Sequence, residues 1–438
     1  MMIDSPPAKY SPMDYKSSKK IYSMDFDLFK LGKFENINQS AYLKGENCRA
    51  IFDELVADVC KVKSCSKWGL SKELSVFYNS EKSTMPKFLS CKDYFPVYLV
   101  SKLIEFLSEE TKQKYVHLFN ESVQYFKVGA SHGWLKFPRN MSAELAWLCG
   151  AVSADGWISK DAVYGGERIG IIDFHRKALV KASDYFERCF GLKPIVKRHQ
   201  KENCWQVVFR SKPITKFFTT YLDFHYGVKV YDTCEPLVVK NSNFRLHFAS
   251  GVLSFDGSVA LDGVVSLGVA SENLAKDVFD ILTEAELEVV LKKEVKKRQT
   301  IFFVKSQGLL KHKDSQKWIS IFGIDIEKGQ RLDSLVNGFI EMPISEEDAL
   351  LRLKKFINYT QRKECPIYSL FNVLKRSGSI KRQQLLKETK LPHVTFYKYA
   401  WILRKANIIS CDVGYFGRGI ENTYTFNYKI DDWRVPSL

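Results

Sequence analysis

Apolar residues between about Asn47 and Ser131 recur at helical spacing: Ile51, Leu55, Val56 and Val59 share one face, and Leu99, Leu103, Ile104 and Leu107 another. The pattern predicts an α-helical unit over residues 26–134. Within it, residues 70–74 and 79–84 read as two short helices about a polar turn, which suits a helix-turn-helix or a helical cap on the next unit. The first 25 residues are polar and rich in turn formers, and predict a mobile arm.

The period then changes, and the chain repeats itself. Leu145–Gly156 and Leu246–Gly257 are both apolar helical segments that end in Asp-Gly, with their aspartates, Asp155 and Asp256, 101 residues apart. After the first come strand-like runs at 157–163 and 169–174, a helix over 178–190, and further strands at 194–197 and 205–210. After the second the same order returns at 258–261, 264–269, 274–282, 289–295 and 301–305. Each copy therefore reads α-β-β-α-β-β, with a closing helix from Ile214 in the first. The copies span residues 135–240 and 241–345.

Residues 346–438 carry a third pattern. Helices are expected over 368–374 and 381–387, and a third opens at Pro392 with Val394, Tyr397 and Trp401 inward and Thr395, Lys398, Tyr399 and Lys405 outward. Strands follow at 408–411 and 423–426 around a Gly417-Arg418-Gly419 tip. Three helices and a hairpin suit a winged helix-turn-helix that contacts DNA or protein.

Charge gives this organisation a partner. The 438 residues include 66 Lys+Arg against 50 Asp+Glu, a formal charge of +16, which favours a polyanion through counterion release. Ten cysteines show no metal-binding spacing, so free thiols in a reducing compartment are expected. No apolar run approaches the roughly 18 residues that a membrane span needs. An intracellular protein, cytoplasmic or nucleoid-associated, is the expectation.

The helix ends are where chemistry is expected. Gly150 with Ala154, and Ser250 with Ser254, put small residues four apart on one face, which lets two helix backbones approach closely. Side-by-side packing of the two segments would bring Asp155 and Asp256 into one acidic pocket. A carboxylate at a helix C-terminus opposes the helix dipole, and a divalent cation would relieve the repulsion. Taken singly, either segment is also an ordinary buried helix with Gly156 or Gly257 as its C-terminal cap.

The stretches Leu148–Gly156 and Ala249–Gly257 resemble the nine-residue motif of the LAGLIDADG (DOD-type) homing endonucleases. The resemblance covers about residues 135–330 and implies an α+β fold: two pseudo-symmetric αββαββα repeats forming a DNA-binding β-saddle. The helical N-terminal unit and the C-terminal winged helix would flank it. It also implies a site-specific double-strand DNA endonuclease that makes a staggered cut by in-line attack of water activated by Mg²⁺. Asp155 and Asp256, with Gly156 and Gly257, fall on the metal-holding positions. Lys212, and Lys305 in the second copy, resemble the lysine that stabilises developing charge; both could equally contact phosphate or be solvated. Ser153 and Ser254 replace the earlier acidic letter, and Phe255 replaces a small residue, which predicts looser packing of the motif helices.

Alternate strand residues would reach base edges in the major groove. The candidates are Lys160, Tyr164, Arg168, Lys197, His199 and Gln206 in the first copy, and Ser266, Lys293, Lys296 and Arg298 in the second. Lys398, Tyr399 and Arg418 are the candidates in the C-terminal unit. The basic run 292–298 is also compatible with a solvated hairpin edge. A chain that starts at Met1, ends at Ser437-Leu438 and lacks a terminal His-Asn pair is not expected to be an intein. A monomer is expected, because both half-sites lie on one chain. A non-cleaving DNA-binding regulator, or an RNA-splicing maturase, are the other functions open to this pattern.

Overall fold

The computed structural model describes residues 26–32, 41–78, 84–90, 94–128, 133–160, 166–199, 204–227, 232–260, 264–296, 299–306, 312–336, 366–392, 396, 399–400, 403–404, 409–412 and 423–426. The expected arm at 1–25 lies outside them, as do Tyr164, Arg298, Lys398, Thr395 and the 413–422 tip with Arg418. The architecture is α+β, built on antiparallel sheets.

The N-terminal unit is not purely helical. Strand β1 (Ala41–Lys44) precedes α1 (Cys48–Val62), α2 (Lys67–Phe77) and α3 (Thr84–Ser90); β2 (Phe95–Pro96), α4 (Val97–Glu105), α5 (Glu109–Ser122), β3 (Tyr125–Val128) and β4 (Leu135–Lys136) follow. The strands form a sheet in the order β2-β1-β3-β4. Sequence periodicity misses this sheet because its strands have two to four residues, too few to show alternation against the surrounding helical period. Helix α2 covers the first of the two short helices expected there, with Ser66 capping it through the Gly69 N–H; the second, expected at 79–84, lies outside the described residues up to Thr84, where α3 begins.

The first repeat comprises α6 (Ala143–Asp155), β5 (Gly156–Lys160), β6 (Glu167–Asp173), α7 (Arg176–Phe190), β7 (Val196–Arg198), β8 (Trp205–Arg210) and α8 (Lys212–Tyr221). After a short α9 (Leu237–Lys240), the second comprises α10 (Arg245–Asp256), β9 (Gly257–Val259), β10 (Val265–Val269), α11 (Glu272–Glu284), β11 (Val289–Lys296) and β12 (Gln299–Ser306). It closes with α12 (His312–Phe322) and α13 (Glu327–Val336). The sheet orders are β5-β6-β8-β7 and β11-β12-β10-β9. Serines cap the helices where the strands turn into them: Ser142, Ser211 and Ser271 accept the N–H groups of Leu145, Ile214 and Leu274.

Every residue of α6 from Leu145 to Ser153, and of α10 from Phe248 to Phe255, is buried. A helix apolar on all sides belongs inside a core, and these two form the middle of a hydrophobic cluster running from Phe26 to Leu332. The N-terminal unit joins that cluster through Phe126 and Phe137, which meet Phe217 of α8, and through the Tyr221 hydroxyl, which donates to the Asp27 carbonyl at 2.6 Å.

Downstream lie α14 (Pro366–Ser377), β13 (Ser379–Lys381), α15 (Arg382–Thr389), β14 (Ile409–Asp412) and β15 (Thr423–Phe426), with sheet order β13-β15-β14. The helical residues described beyond Pro392 correct one expectation. Phe396, Tyr399, Ala400 and Leu403 are buried, a one-turn spacing that makes them the inner face, and Phe396 packs edge-on against Tyr424. Tyr399, expected outside as a DNA contact, therefore belongs to the core of this unit. Among the described residues no helix is long and apolar enough to cross a membrane.

Candidate functional site

The two motif helices pack backbone to backbone through one glycine each. A side-chain carbon added at Gly150 would run into the Phe248 carbonyl oxygen and stand 2.8 Å from the Val252 nitrogen. One added at Gly251 would run into the Trp147 carbonyl oxygen and stand 2.9 Å from the Ala151 nitrogen. Each pair of partners is offset by the same 101 residues as the two aspartates, so the contact is pseudo-two-fold. The expected small-residue face is corrected in the second copy: Gly251 makes the approach, not Ser250. Ser250 turns away, donating to the Ile321 carbonyl, and Ser254 donates to the Ser250 carbonyl at 2.7 Å.

Phe255 does not hold the helices apart. It is buried and packs against Trp147, with ring centroids 5.8 Å apart. Trp147 is itself set edge-on to Tyr185 at 5.2 Å. The aromatic lies beside the close approach and fills space there, so the expectation of looser packing is not met.

Strands β5 and β9 begin at Gly156 and Gly257, directly after the aspartates. Both glycines sit against the preceding helical turn; a side chain on Gly156 would meet Val152, and one on Gly257 would meet Leu253. The two sheets thus spring from the paired helix tips.

Asp155 and Asp256 act on one common cation, Lys328 on α13, which the sequence reading did not single out. Its half-buried ammonium donates to the Phe255 carbonyl, at the C-terminal end of α10, where a positive charge complements the helix dipole. Burial lowers the Lys328 ammonium below its ordinary value, and the carboxylates of Asp173, Asp155, Asp256 and Glu327 pull it back up. Asp173, the last residue of β6, is the third acid. It is 6% exposed, its Oδ1 accepts the His175 N–H at 2.8 Å, and its Oδ2 has no hydrogen-bond partner. Burial raises its carboxyl above the usual range, against the pull of His175 and Lys328. Lys328 was invisible to motif reading because it lies 72 residues beyond Asp256 and reaches the tips only through tertiary packing.

Lys212, at the start of α8, lies near Lys216, where burial lowers the Lys216 ammonium, Glu167 raises it, and Lys160 and Lys212 lower it further. This cluster sits by Lys160, the residue of β5 farthest from Asp155. Lys305 pairs with Glu294 at 3.5 Å and lies 4.4 Å from the Phe303 ring centroid.

Strand register sorts the DNA-contact candidates. In the first sheet Ile158, Ile169, Ile171, Val207 and Phe209 are buried against the helices, so Trp157, Arg168, Gln206, Arg210 and Lys197 lie on the opposite, open face. Arg168 pairs directly with Arg210, and Gln206 with Lys197. His199 continues from β7, with its N–H bonded to the Cys204 carbonyl. Lys160 is corrected: it shares the helix-side face with Ile158 and lies 4.7 Å from the Tyr226 ring centroid. In the second sheet Val265, Leu267, Val269, Phe302 and Val304 are buried, which leaves Ser258, Ser266, Lys305, Phe303, Lys292 and Glu294 on the open face. Lys293 is corrected likewise, since it is paired with Phe302 on the helix side, 5.6 Å from that ring. Lys296 has the parity of the open face; its side chain lies outside the described residues. On each open face an aromatic covers a glycine: Trp157 over Gly170, and Phe303 over Gly268.

The helix ends carry two hard oxygen donors of the kind a divalent cation takes, the carboxylates of Asp155 and Asp256. Among the described residues no cluster of three or more His, Cys, Asp or Glu could hold a metal ion. The two aspartates would therefore need oxygens from outside the chain, as phosphate supplies.

No family model and no curated protein matches the sequence. Solved structures similar to this chain include I-DmoI in complex with DNA and Mn, at 12% identity over 41% of this chain and 97% of that one, with a TM-score of 0.31. I-WcaI bound to its DNA recognition sequence is similar at 13% identity over 46% and 83%, with a TM-score of 0.28. The N-terminal LAGLIDADG domain of DUF199/WhiA is similar at 13% identity over 45% and 89%, also with a TM-score of 0.28. Likeness at this level carries no conclusion about the chemistry of this chain.

Proposed function

We propose that this protein binds duplex DNA across the two open sheet faces and hydrolyses one phosphodiester in each strand at Asp155 and Asp256. The observation that supports the reading is the reciprocal packing of Gly150 and Gly251, which sets side by side two helices that each end in an aspartate directly before a sheet. A formal charge of +16 and a duplex partner are mutually consistent. Arg168, Arg210, Lys197 and Gln206 from one sheet, and Lys292 and Lys305 from the other, would face the DNA. Mg²⁺ or Mn²⁺, when bound, supplies Lewis acidity to the scissile phosphate and to water; Asp155 and Asp256 would hold it, in a monomer cutting both strands with a stagger. The C-terminal unit, with its three-stranded sheet behind α14 and α15, would act as a winged helix that extends the contact.

A second reading, binding without cleavage, is favoured by Lys328, which already neutralises part of the acidic charge at the tips. Incubation of the protein with a randomised duplex library in Mg²⁺ and in EDTA, followed by sequencing of ends, separates the two. The nuclease reading expects discrete metal-dependent ends, reduced at least about 100-fold by Asp155→Asn or Asp256→Asn. Selective retention of DNA with no ends in Mg²⁺ or in EDTA would establish the binder and sink the nuclease.

A further inference from the structure

The sheet of the N-terminal unit has two faces of different chemistry. Ala41, Leu43, Phe95, Phe126, Val128 and Leu135 are buried on the face that packs against the helices, where Phe52 of α1 stacks on Phe95 at 4.8 Å. Alternation along each strand puts Tyr42, Lys44, Tyr125, Lys127 and Lys136 on the other face. There Tyr42 is paired with Lys127, and Tyr125 with both Lys44 and Lys136, so aromatic and cationic side chains alternate across the strands. Tyr94 and Trp134, next to β2 and β4, join the same face: the Lys127 ammonium lies 4.5, 5.0 and 5.3 Å from the ring centroids of Tyr94, Trp134 and Tyr42. Tyr94 meets each of the other two rings at 5.7 Å. Tyr125 is 42% exposed, and the four strands carry no acidic residue.

Lysines alone would serve any anion, but rings set beside them select one that is also flat and apolar. An unpaired nucleotide is such a ligand: its base stacks on the ring while its phosphate meets the ammonium. A duplex offers phosphates but hides its base faces in its own stack, and an acidic peptide offers charge without a stack of flat rings. We propose that this face of the N-terminal sheet binds single-stranded nucleic acid, stacking bases on Tyr125 and Trp134 and meeting phosphates with Lys44, Lys127 and Lys136. Four strands set about 4.8 Å apart span roughly 14 Å, room for about two or three stacked bases. The face belongs to the N-terminal unit and not to the two repeats. It is therefore separate from the duplex surface proposed above, and its failure would leave that reading standing.

The test is fluorescence anisotropy of labelled short dT and rU oligonucleotides with the full chain in EDTA. Binding of either supports the proposal, and the tighter of the two identifies the sugar. Tyr125→Ala is expected to weaken this binding at least about fivefold, the scale of one lost base stack, and Tyr125→Phe, which keeps the ring, to stay within about twofold of the wild type. Lys44→Gln should flatten the salt dependence by about 0.7 units of slope, the share of one phosphate on a single strand. None of the three should change the affinity for a random-sequence duplex. The wild type supplies a check that needs no variant: photo-crosslinking of a thiouridine-bearing oligonucleotide, mapped by mass spectrometry, should place bases on the peptides that carry Tyr125 and Trp134. Failure of the wild type to bind either oligonucleotide overturns the proposal, as do crosslinks confined to the two repeats. A Tyr125→Ala protein that is folded by circular dichroism and binds as tightly as the wild type overturns it too. Displacement of the oligonucleotide by polyglutamate at equal charge concentration would mark a surface for anions in general, and overturns it as well.

Discussion

Gly150 and Gly251 each press against the other motif helix at symmetry-equivalent points, Gly150 on the turn of Phe248 and Gly251 on the turn of Trp147. Neither helix can withdraw without displacing the buried residues packed on its far side. Helix propensity alone would make Gly→Ala stabilising by about 1 kcal/mol. Against that, Gly150→Ala or Gly251→Ala is expected to destabilise by a net of about 1–3 kcal/mol, the usual cost of overpacking a filled core. Urea unfolding midpoints measure it. The double variant should lose less than the sum, because one separation of the helices relieves both clashes. Stability equal to or above the wild type in both single variants would show that the helices do not meet here.

The parts legible in the sequence were those with a local signature. The Asp-Gly ends repeated 101 residues apart located both motif helices, and period-two and helical runs located the elements that follow them. Four features were not legible, each for a physical reason. Strands β1 to β4 are too short for alternation to register. Lys328 comes to Asp155 and Asp256 through the docking of α13, a tertiary event without a local pattern. Lys160 and Lys293 were drawn in by charge alone, although residues of opposite parity on one strand, such as Lys293 and Lys296, cannot face one groove. The aromatic covers on Gly170 and Gly268 were also missed; a glycine inside a strand pattern is the signal that could have found them.

Parity makes a prediction about DNA. With a random-sequence duplex, Arg168→Ala and Arg210→Ala on the open face should each weaken binding and flatten the dependence of affinity on salt by about one unit of slope, the loss of one phosphate contact. Lys160→Ala and Lys293→Ala, on the helix side, should leave the slope unchanged. Fluorescence anisotropy over a range of salt concentrations resolves the difference. Equal loss from all four would mean that the open faces are not the binding surface.

Cys149 lies next to Gly150 and is fully buried, and burial pushes its thiol well above the ordinary value. Its alkylation at neutral pH therefore requires α6 to come away from the core, where Cys189 of α7 faces this thiol. The rate should fall with the equilibrium population of the opened state, rising about tenfold for each 1.4 kcal/mol removed by Gly251→Ala. Cys234 is exposed and serves as an internal standard. Rapid labelling of Cys149 in the intact wild type would contradict the packing described.

Arg245 opens α10 and holds two acids: Glu235, through Nε and Nη2 at 2.9–3.1 Å, and Glu284, through Nη1 at 2.5–2.6 Å. The Glu235 side chain has no exposure. Burial raises its carboxyl above the ordinary value of 4.5, and the Arg245 guanidinium only partly offsets this. A carboxyl raised on folding takes up protons in the folded state, so its contribution is full below the ordinary value and is lost as pH rises through the folded one. Arg245→Met removes the offset and moves the folded value higher still. The variant should therefore be close to the wild type in stability near about pH 4.5 and about 3–5 kcal/mol less stable at neutral pH, the scale for leaving one member of a buried ion pair alone. Denaturant titrations at the two pH values decide it. A deficit that is the same at both would mean that Glu235 stays ionised without its partner, and that the start of α10 is held by packing rather than by this pair.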